Sequence, residues 1–575
     1  MRAPRPVLAF ILIGALAVGL GAQSGSKGGA ASIQQASLKE WLGHLASDEL
    51  QGRQVYTEGL GLAAAYIAGH LKDWGVKPAG ENGSYFQTVK VLGIRTTSRS
   101  SVTVEVDGQT RTFKDGEGIS LPRNMGGKQT VSGADVQFVG YGLQIPAAGI
   151  DDYAKVDPQG KVVVWIGASG PKSVGPEANR LLGARSRLAA EKGAIAVIGV
   201  QTGGFGRGGR GRGGQQPAGG GGRGAQPDAD FNTAQRYDQP IPPVVTAQDE
   251  FLEFLFSGSE LKYADLKAIA AKQEPLPPFT LRNVKLTFTI DPDYAVVSTR
   301  LTKNVVGIVE GRDPKLKDTF VAFGAHYDHI GYQQAPAGAG GGRGGQNPGG
   351  CVGQTRPTPR PGDVINNGAD DDGSGTVALM AVARAFAQGP RPKRSLVFVW
   401  HTAEETGLLG SRFNADYPIV PNERIVAQLN ADMVGRNRCD QPSESNTVYL
   451  VGSDRISTEL HNVSEDANAS MPAPMKLDYE MNDPADPQSI YTRSDHYSYA
   501  AKGIPIIFYT TGLHRDYHYV TDEVDRIEFG KLARIAQLVY RTGQQVANLD
   551  HPPARDRKGP RVGKAVGGKL TDSRN

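Results

Sequence analysis

After Val284 the sequence alternates short apolar runs with helix-patterned stretches, and this alternation constrains the fold more than any other feature of the chain. It is the signature of an α/β sheet with covering helices. Strands are predicted over residues 304–309, 319–325, 394–400, 425–430 and 504–509, and a helix over 376–388. Between about residues 131 and 278 the texture changes to short β-type runs separated by turns, with one helical stretch at 179–192, which suggests an inserted domain. Near the start, apolar residues three and four apart predict two amphipathic helices between Ser37 and Tyr85.

A chain of 575 residues exceeds what one hydrophobic core usually organises, so two folded domains and some unfolded sequence are expected. Residues 203–227 and 333–362 are rich in Gly, Arg, Gln and Pro and have no means of building a core, so they are expected to be mobile loops. The tail, 551–575, is basic and expected to be disordered. Net charge is only +4, and the excess Arg lies in the glycine-rich tracts and the tail. No nucleic-acid partner follows from it. Arg2 and Arg5 precede an apolar run from Val7 to Leu20 and then Gly21-Ala22-Gln23, the layout of a signal peptide over residues 1–22. Export to the periplasm or the exterior is expected, with no stable membrane insertion after cleavage. Cys351 and Cys439, the two cysteines, could pair in such a compartment.

The chemistry is marked by where acidic and imidazole side chains fall. The run ending at Ala325 is followed by His326-Tyr-Asp328. The run ending at Trp400 is followed by His401-Thr-Ala-Glu404-Glu405, and the run ending at Asn430 by Ala431-Asp432. Open α/β sheets bind ligands beyond the carboxyl ends of their strands, so these clusters should converge. Any one of them is how a strand reaches solvent. Together with Asp370-Asp371-Asp372 ahead of a helix and with His518, in a chain with 10 His, they point to metal. Two zinc ions about 3.5 to 4 Å apart need a bridging carboxylate and further N or O ligands. A carboxylate that is not a ligand must then move the proton of an attacking water, and adjacent glutamates can divide those tasks. Asp328 is placed to orient His326 through its other ring nitrogen, and Asp522 to do the same for His518.

These residues resemble the secreted bacterial two-zinc aminopeptidases, a family related to glutamate carboxypeptidases and the transferrin receptor. The resemblance rests on Gly324-Ala-His326-Tyr-Asp328, Asn367-Gly-Ala-Asp-Asp371-Asp-Gly-Ser-Gly, Ala403-Glu404-Glu405-Thr-Gly-Leu-Leu-Gly-Ser411, Leu429-Asn-Ala-Asp432-Met and Asp516-Tyr-His518. Ser47-Asp-Glu-Leu-Gln-Gly-Arg53 is also similar. It implies a three-layer zinc exopeptidase fold, with a mixed central sheet and helices on both faces, in two segments, 33–130 and 284–550. It implies two Zn²⁺ ions: Asp371 bridging, His326 and Asp432 completing one, Glu405 and His518 the other. Glu404 is the implied general base, Tyr517 an oxyanion donor, and Ser494-Asp495-His496 part of the wall. Phe138-Val-Gly-Tyr-Gly, Asp151-Asp-Tyr-Ala and Gly160-Lys-Val-Val-Val give residues 131–283 the look of a mainly-β protease-associated domain.

The implied reaction is removal of the N-terminal residue from peptides with a free amine. Carboxypeptidase or dipeptidase action on the same core would want arginines gripping a substrate carboxylate. Glutaminyl-cyclase-like acyl transfer is disfavoured because relatives of that kind keep fewer ligands. A non-catalytic receptor is expected to have lost ligands that this chain retains. Two departures stand out: the long tract at 333–362 beside the predicted metals, and Val520 where many relatives carry proline.

Overall fold

Leu396, Phe398 and Trp400 point to one side of their strand and Val397 and Val399 to the other, and both sides are buried, in separate hydrophobic clusters. Val321, Phe323 and Ala325 divide from Ala322 in the same way. A strand whose successive side chains all find apolar cover must lie inside three layers. The computed structural model, which describes residues 28–133, 135–175, 179–201, 229–333 and 348–556, shows that arrangement.

The central sheet has ten strands: β1 Lys77–Pro78, β2 Phe86–Ser98, β3 Phe231–Thr233, β4 Pro292–Val309, β5 Phe320–His326, β6 Ser395–His401, β7 Ile425–Ala431, β8 Thr447–Val451, β9 Lys476–Asp478 and β10 Ile506–Thr510. Their order is β3-β2-β4-β6-β5-β7-β10-β8-β9, with β1 on β4. The four strands β6-β5-β7-β10 run parallel, β2 and β4 pair antiparallel to each other, β4 runs antiparallel to β6, and β8 to β10, so the sheet is mixed.

One face is covered by α1 Gln35–Leu45, α2 Glu58–Asp73, α3 Gly375–Ala387, α5 Thr458–Ala469 and α7 Phe529–Asn548. The other is covered by α4 Leu409–Asp416 and α6 His496–Ala500. All five predicted strands and the 376–388 helix are present within a residue or two, except that the first is only the end of the 18-residue β4. The long β2–β4 ribbon carries the chain away from this sheet, and patterning did not reveal it.

Beyond that ribbon lies a second unit. Its larger sheet has the order Phe279–Leu281, Val136–Phe138, Val162–Val164, Ala196–Val200, Val244–Ala247, Ile119–Ser120, with the middle four parallel. Helix Asn179–Glu191 leads into its fourth strand. A four-stranded antiparallel sheet joins Gln109–Lys114, Ser101–Val106, Val284–Ile290 and Gln129–Gly133. Residues 101–114, read from sequence with the first peptidase segment, thus pair with strands of this second unit, while β3, from within 131–283, joins the central sheet. The signal peptide, the tract at 203–227 and most of the tail lie outside the described residues. So do residues 334–347.

Residues 348–362, the rest of the second glycine-rich tract, differ from the mobile loop expected of them. Cys351 is fully buried and disulfide-bonded to Cys439, with the Cα atoms 5.3 Å apart. Pro357, Pro359 and Pro361 further stiffen the segment by fixing φ at alternate residues.

Candidate metal centre

Three neighbouring parallel strands end at the same level. His326 closes β5 directly opposite His401, which closes β6, and β7 runs out at Ala431 on the other flank of β5. The backbone then turns through left-handed residues, Ala403 (φ 57°) and Met433 (φ 55°), which swing Glu404, Glu405 and Asp432 over the strand ends.

Asp371 reaches the same point from the loop before α3, where the three consecutive aspartates do three different jobs. Asp370 Oδ1 accepts the Gly435 amide (2.7 Å). Asp372 accepts the amides of His326, Gly375 and Met433, at 3.1, 2.9 and 3.2 Å. Asp371 alone turns its carboxylate to the centre. Beneath them the buried Arg53 guanidinium donates to the carbonyls of Leu45, Tyr327, Asn367 and Gly368. That gives the Ser47–Arg53 motif its purpose: it ties α1 and the β5 end to the aspartate loop.

The donor atoms fall into two overlapping sets. His326 Nε2 stands 3.3 Å from Asp371 Oδ1 and 3.6 Å from Asp432 Oδ2. On the other side His518 Nε2 stands 3.0 Å from both Asp371 Oδ2 and Glu405 Oε2. Two ligands each about 2.1 Å from a tetrahedral ion lie about 3.4 Å apart, so both sets have the spacing of atoms that share a cation. Asp371 offers one oxygen to each set. Among the described residues, the buried atoms His326 Nε2 and Asp371 Oδ2 have no hydrogen-bond partner, as ligand atoms awaiting a metal would not.

The electrostatics agree. Burial, reinforced by Glu405 and Asp432 and opposed by His326, pushes Glu404 well above the usual carboxylate range. Burial raises Asp432 as well, against the pull of His326. His518 is itself raised: burial opposes this, but Glu405 prevails. In turn Glu405, despite its burial, is held at about 2, chiefly by His518. So many carboxylates in one dry pocket demand positive charge, which protonated imidazoles or bound cations can supply. The residues present therefore fit zinc.

The structure brings together His326, Asp371, Glu405, Asp432 and His518. Glu404 borders the first set, with Oε2 4.0 Å from His326 Nε2. The Tyr517 ring stacks on that of His518, centroids 3.9 Å apart, and its hydroxyl accepts from Arg493 (3.1 Å).

Two orienting roles differ from expectation. His326 Nδ1 meets the backbone carbonyl of Asp328 (3.1 Å), whereas the Asp328 carboxylate stands 3.8 Å away and accepts the Glu404 amide instead (3.1 Å). Asp522 does not orient His518. Its carboxylate accepts the amides of Asp370 and Asp371, each at 3.1 Å, because the tight aspartate loop leaves those N–H groups without backbone partners.

Two residues escaped sequence reasoning. His329 Nδ1 lies 2.8 Å from Glu405 Oε1, a third imidazole at the second donor set. Its position three residues after His326 was the available signal, hidden because β5 has ended and period-two logic no longer applies. Arg493, beside the recognised Ser494-Asp495-His496, reaches the pocket lined by Asp371, Glu404, Asp432 and Tyr517. The wall motif itself is largely buried: Asp495 pairs with His401 (3.3 Å) and His496 stacks on Phe508.

The segment that carries this centre is similar to known proteins. Residues 304–542 match the model of peptidase family M28. A leucine aminopeptidase 2 from Arthroderma otae is 27% identical over 217 residues, which are 34% of this chain and 42% of that protein. Leupeptin-inactivating enzyme 1 from Streptomyces exfoliatus is 30% identical over 148 residues, 25% of this chain and 30% of that protein. The chain thus spans less than two thirds of the length of these curated relatives. An aminopeptidase from Aneurinibacillus sp. strain AM-1 is similar over 89% of this chain and 94% of its own, at 18% identity and a TM-score of 0.41. Every donor atom of the centre comes from the segment that matches the model of peptidase family M28.

Proposed function

We propose that the protein is an exported two-zinc aminopeptidase that removes N-terminal residues from peptides. The observation that carries the reading is that the two oxygens of Asp371 face two donor sets, His326 with Asp432 and His518 with Glu405, while Glu404 borders the first set, 4.0 Å from His326 Nε2. Zinc held there supplies a Lewis acid for the scissile carbonyl and lowers the pKa of water. Glu404 takes the proton of the attacking water and delivers it to the leaving amine, a task suited to a carboxyl whose affinity for protons burial has raised. The Tyr517 hydroxyl, fixed by Arg493, donates to the oxyanion. Met433, Ile490, Phe508 and Leu513 line the same pocket and favour an apolar N-terminal side chain.

The second unit serves as a protease-associated-type module, and its Glu191 accepts a hydrogen bond from Tyr497 of α6 (3.0 Å). The Cys351–Cys439 bond suits an oxidising compartment, and among the described residues no helix is long and apolar enough to cross a membrane.

One observation favours a second reading on the same core. Arg493 is the pocket arginine that carboxypeptidase or dipeptidase action would want. Metal analysis combined with peptides blocked at either end separates the readings. About two zincs per chain, with cleavage abolished by N-acetylation and spared by C-amidation, supports the aminopeptidase. Cleavage abolished by C-amidation supports the alternative, and neither metal nor turnover supports a non-catalytic receptor.

A further inference from the structure

His518 is held in an unfavourable place. Its backbone is left-handed (φ 53°), a conformation that a non-glycine residue keeps only when its surroundings over-determine it. It is also 33% exposed at the side chain, unlike the other donors of the centre.

What over-determines it from outside is the segment 348–362. The Arg356 guanidinium donates to two successive carbonyls of the ligand loop, Tyr517 (Nη2, 3.3 Å) and His518 (Nη1, 3.2 Å), and lies 4.5 Å from the centroid of the Tyr519 ring. A planar guanidinium can span two carbonyls in this way and stack at the same time. The strap that carries Arg356 is fastened where the loop begins. Cys351 is bonded to Cys439, whose amide donates to Leu513 O (2.9 Å), and Gln354 donates to Cys439 O (2.7 Å). Gly349 crosses so close to His514 that a Cβ there would come within 2.4 Å of its carbonyl oxygen. Asp516 is held from the inner side by Arg436 (2.9 Å) and Thr521 (2.5 Å), so the loop is clamped between two supports.

We propose that Arg356 is a positioning residue for the second cation, holding the Tyr517–His518 backbone so that the His518 imidazole meets Asp371 and Glu405, and that the Cys351–Cys439 bond anchors it. This rests on the two-cation reading above. Arg356 bonds the backbone of His518 and not its imidazole, so its effect passes through the loop carbonyls.

The test is titration of the metal-stripped full-length protein with Zn²⁺, by calorimetry and chelator competition. In Arg356→Ala one of the two binding steps should weaken about tenfold or more while the other is unchanged, the scale on which supporting contacts tune metal affinity. Arg356→Lys, which can reach one carbonyl, should fall between. The Cys351→Ser, Cys439→Ser pair should reproduce the selective loss. Arg360→Ala, on the same strap but exposed and paired with the exposed Asp525 (3.7 Å), should leave both steps alone. Two wild-type binding steps in Arg356→Ala, or equal weakening of both, would overturn the proposal. A wild-type chain that takes up fewer than two zincs would instead overturn the two-cation reading and the proposal with it.

Discussion

The two halves of the candidate centre are built on different principles. His326 and Asp432 stand at the ends of adjacent parallel strands, so their separation is fixed by sheet register and by amides that converge on Asp372. His518 stands on a loop, at a left-handed residue, and keeps its place through side-chain bonds, a disulfide and a buried charge network. One half is set mainly by strand register, with the Asp372 carboxylate gathering the amides at the strand ends. The other depends on particular side chains, each of which can be removed. The first should therefore be the invariant part of the centre and the second the part that tunes it.

Asp371→Ala should break the comparison altogether, since that residue serves both halves. Zinc content after gel filtration is expected to fall to near zero and peptide hydrolysis to background. Retention of one full equivalent would show that the halves do not share it. Glu404→Gln should do the reverse and leave both halves intact. Zinc stays at the wild-type level while kcat drops by about 10² to 10⁴, the usual weight of a general base. Near-normal turnover would mean that another group moves the proton.

The halves themselves separate on the metal-free protein. His326 is 1% exposed among Asp371, Asp432 and Glu404, so His326→Ala leaves buried carboxylates uncompensated and should cost about 3 kcal/mol. His518→Ala, at a part-exposed site and with His329 still beside Glu405, should cost less, about 1 to 2 kcal/mol. Chemical denaturation of both variants in the presence of chelator reads the contrast. Equal losses would mean that the loop half is as rigidly built as the strand half.

The same division governed how much the sequence disclosed. Runs such as 319–325 and 394–400 announce themselves by continuous apolarity, and the residues that follow them are then placed by topology alone. His326, Glu405 and Asp432 were legible for that reason. Asp371 and His518 joined the set by residue type alone and received their roles only through resemblance, because loops carry no periodicity. His329 was missed because nothing in a post-strand loop says which way a third imidazole points. The orienting roles of Asp328 and Asp522 went astray for a related reason: proximity in sequence favours side-chain partners, whereas backbone carbonyls and amides, invisible to residue type, took those bonds. The Gly/Pro tract was misjudged because composition says that a segment cannot make its own core, not that it cannot be fastened to another's.

The loop half also makes a prediction about pH. Lys531, on α7, is buried and donates to Arg436 O, Asn437 Oδ1 and Glu444 O, bracing the same stretch that carries Cys439 and the Arg436–Asp516 pair. Burial lowers its pKa from the ordinary 10.5 to about 8. Between those values the unfolded chain binds a proton that the folded chain has released, so stability must rise with pH across that window. The rise is about 2 kcal/mol from pH 8 to pH 10, at about 1.4 kcal/mol per unit. Contributions from the rest of the chain cancel in the difference between wild type and Lys531→Met. That difference, measured on metal-free protein, should grow in favour of the wild type as pH is raised. A flat difference would mean that the ammonium under the loop is not desolvated, and that the loop half rests on its disulfide and arginines alone.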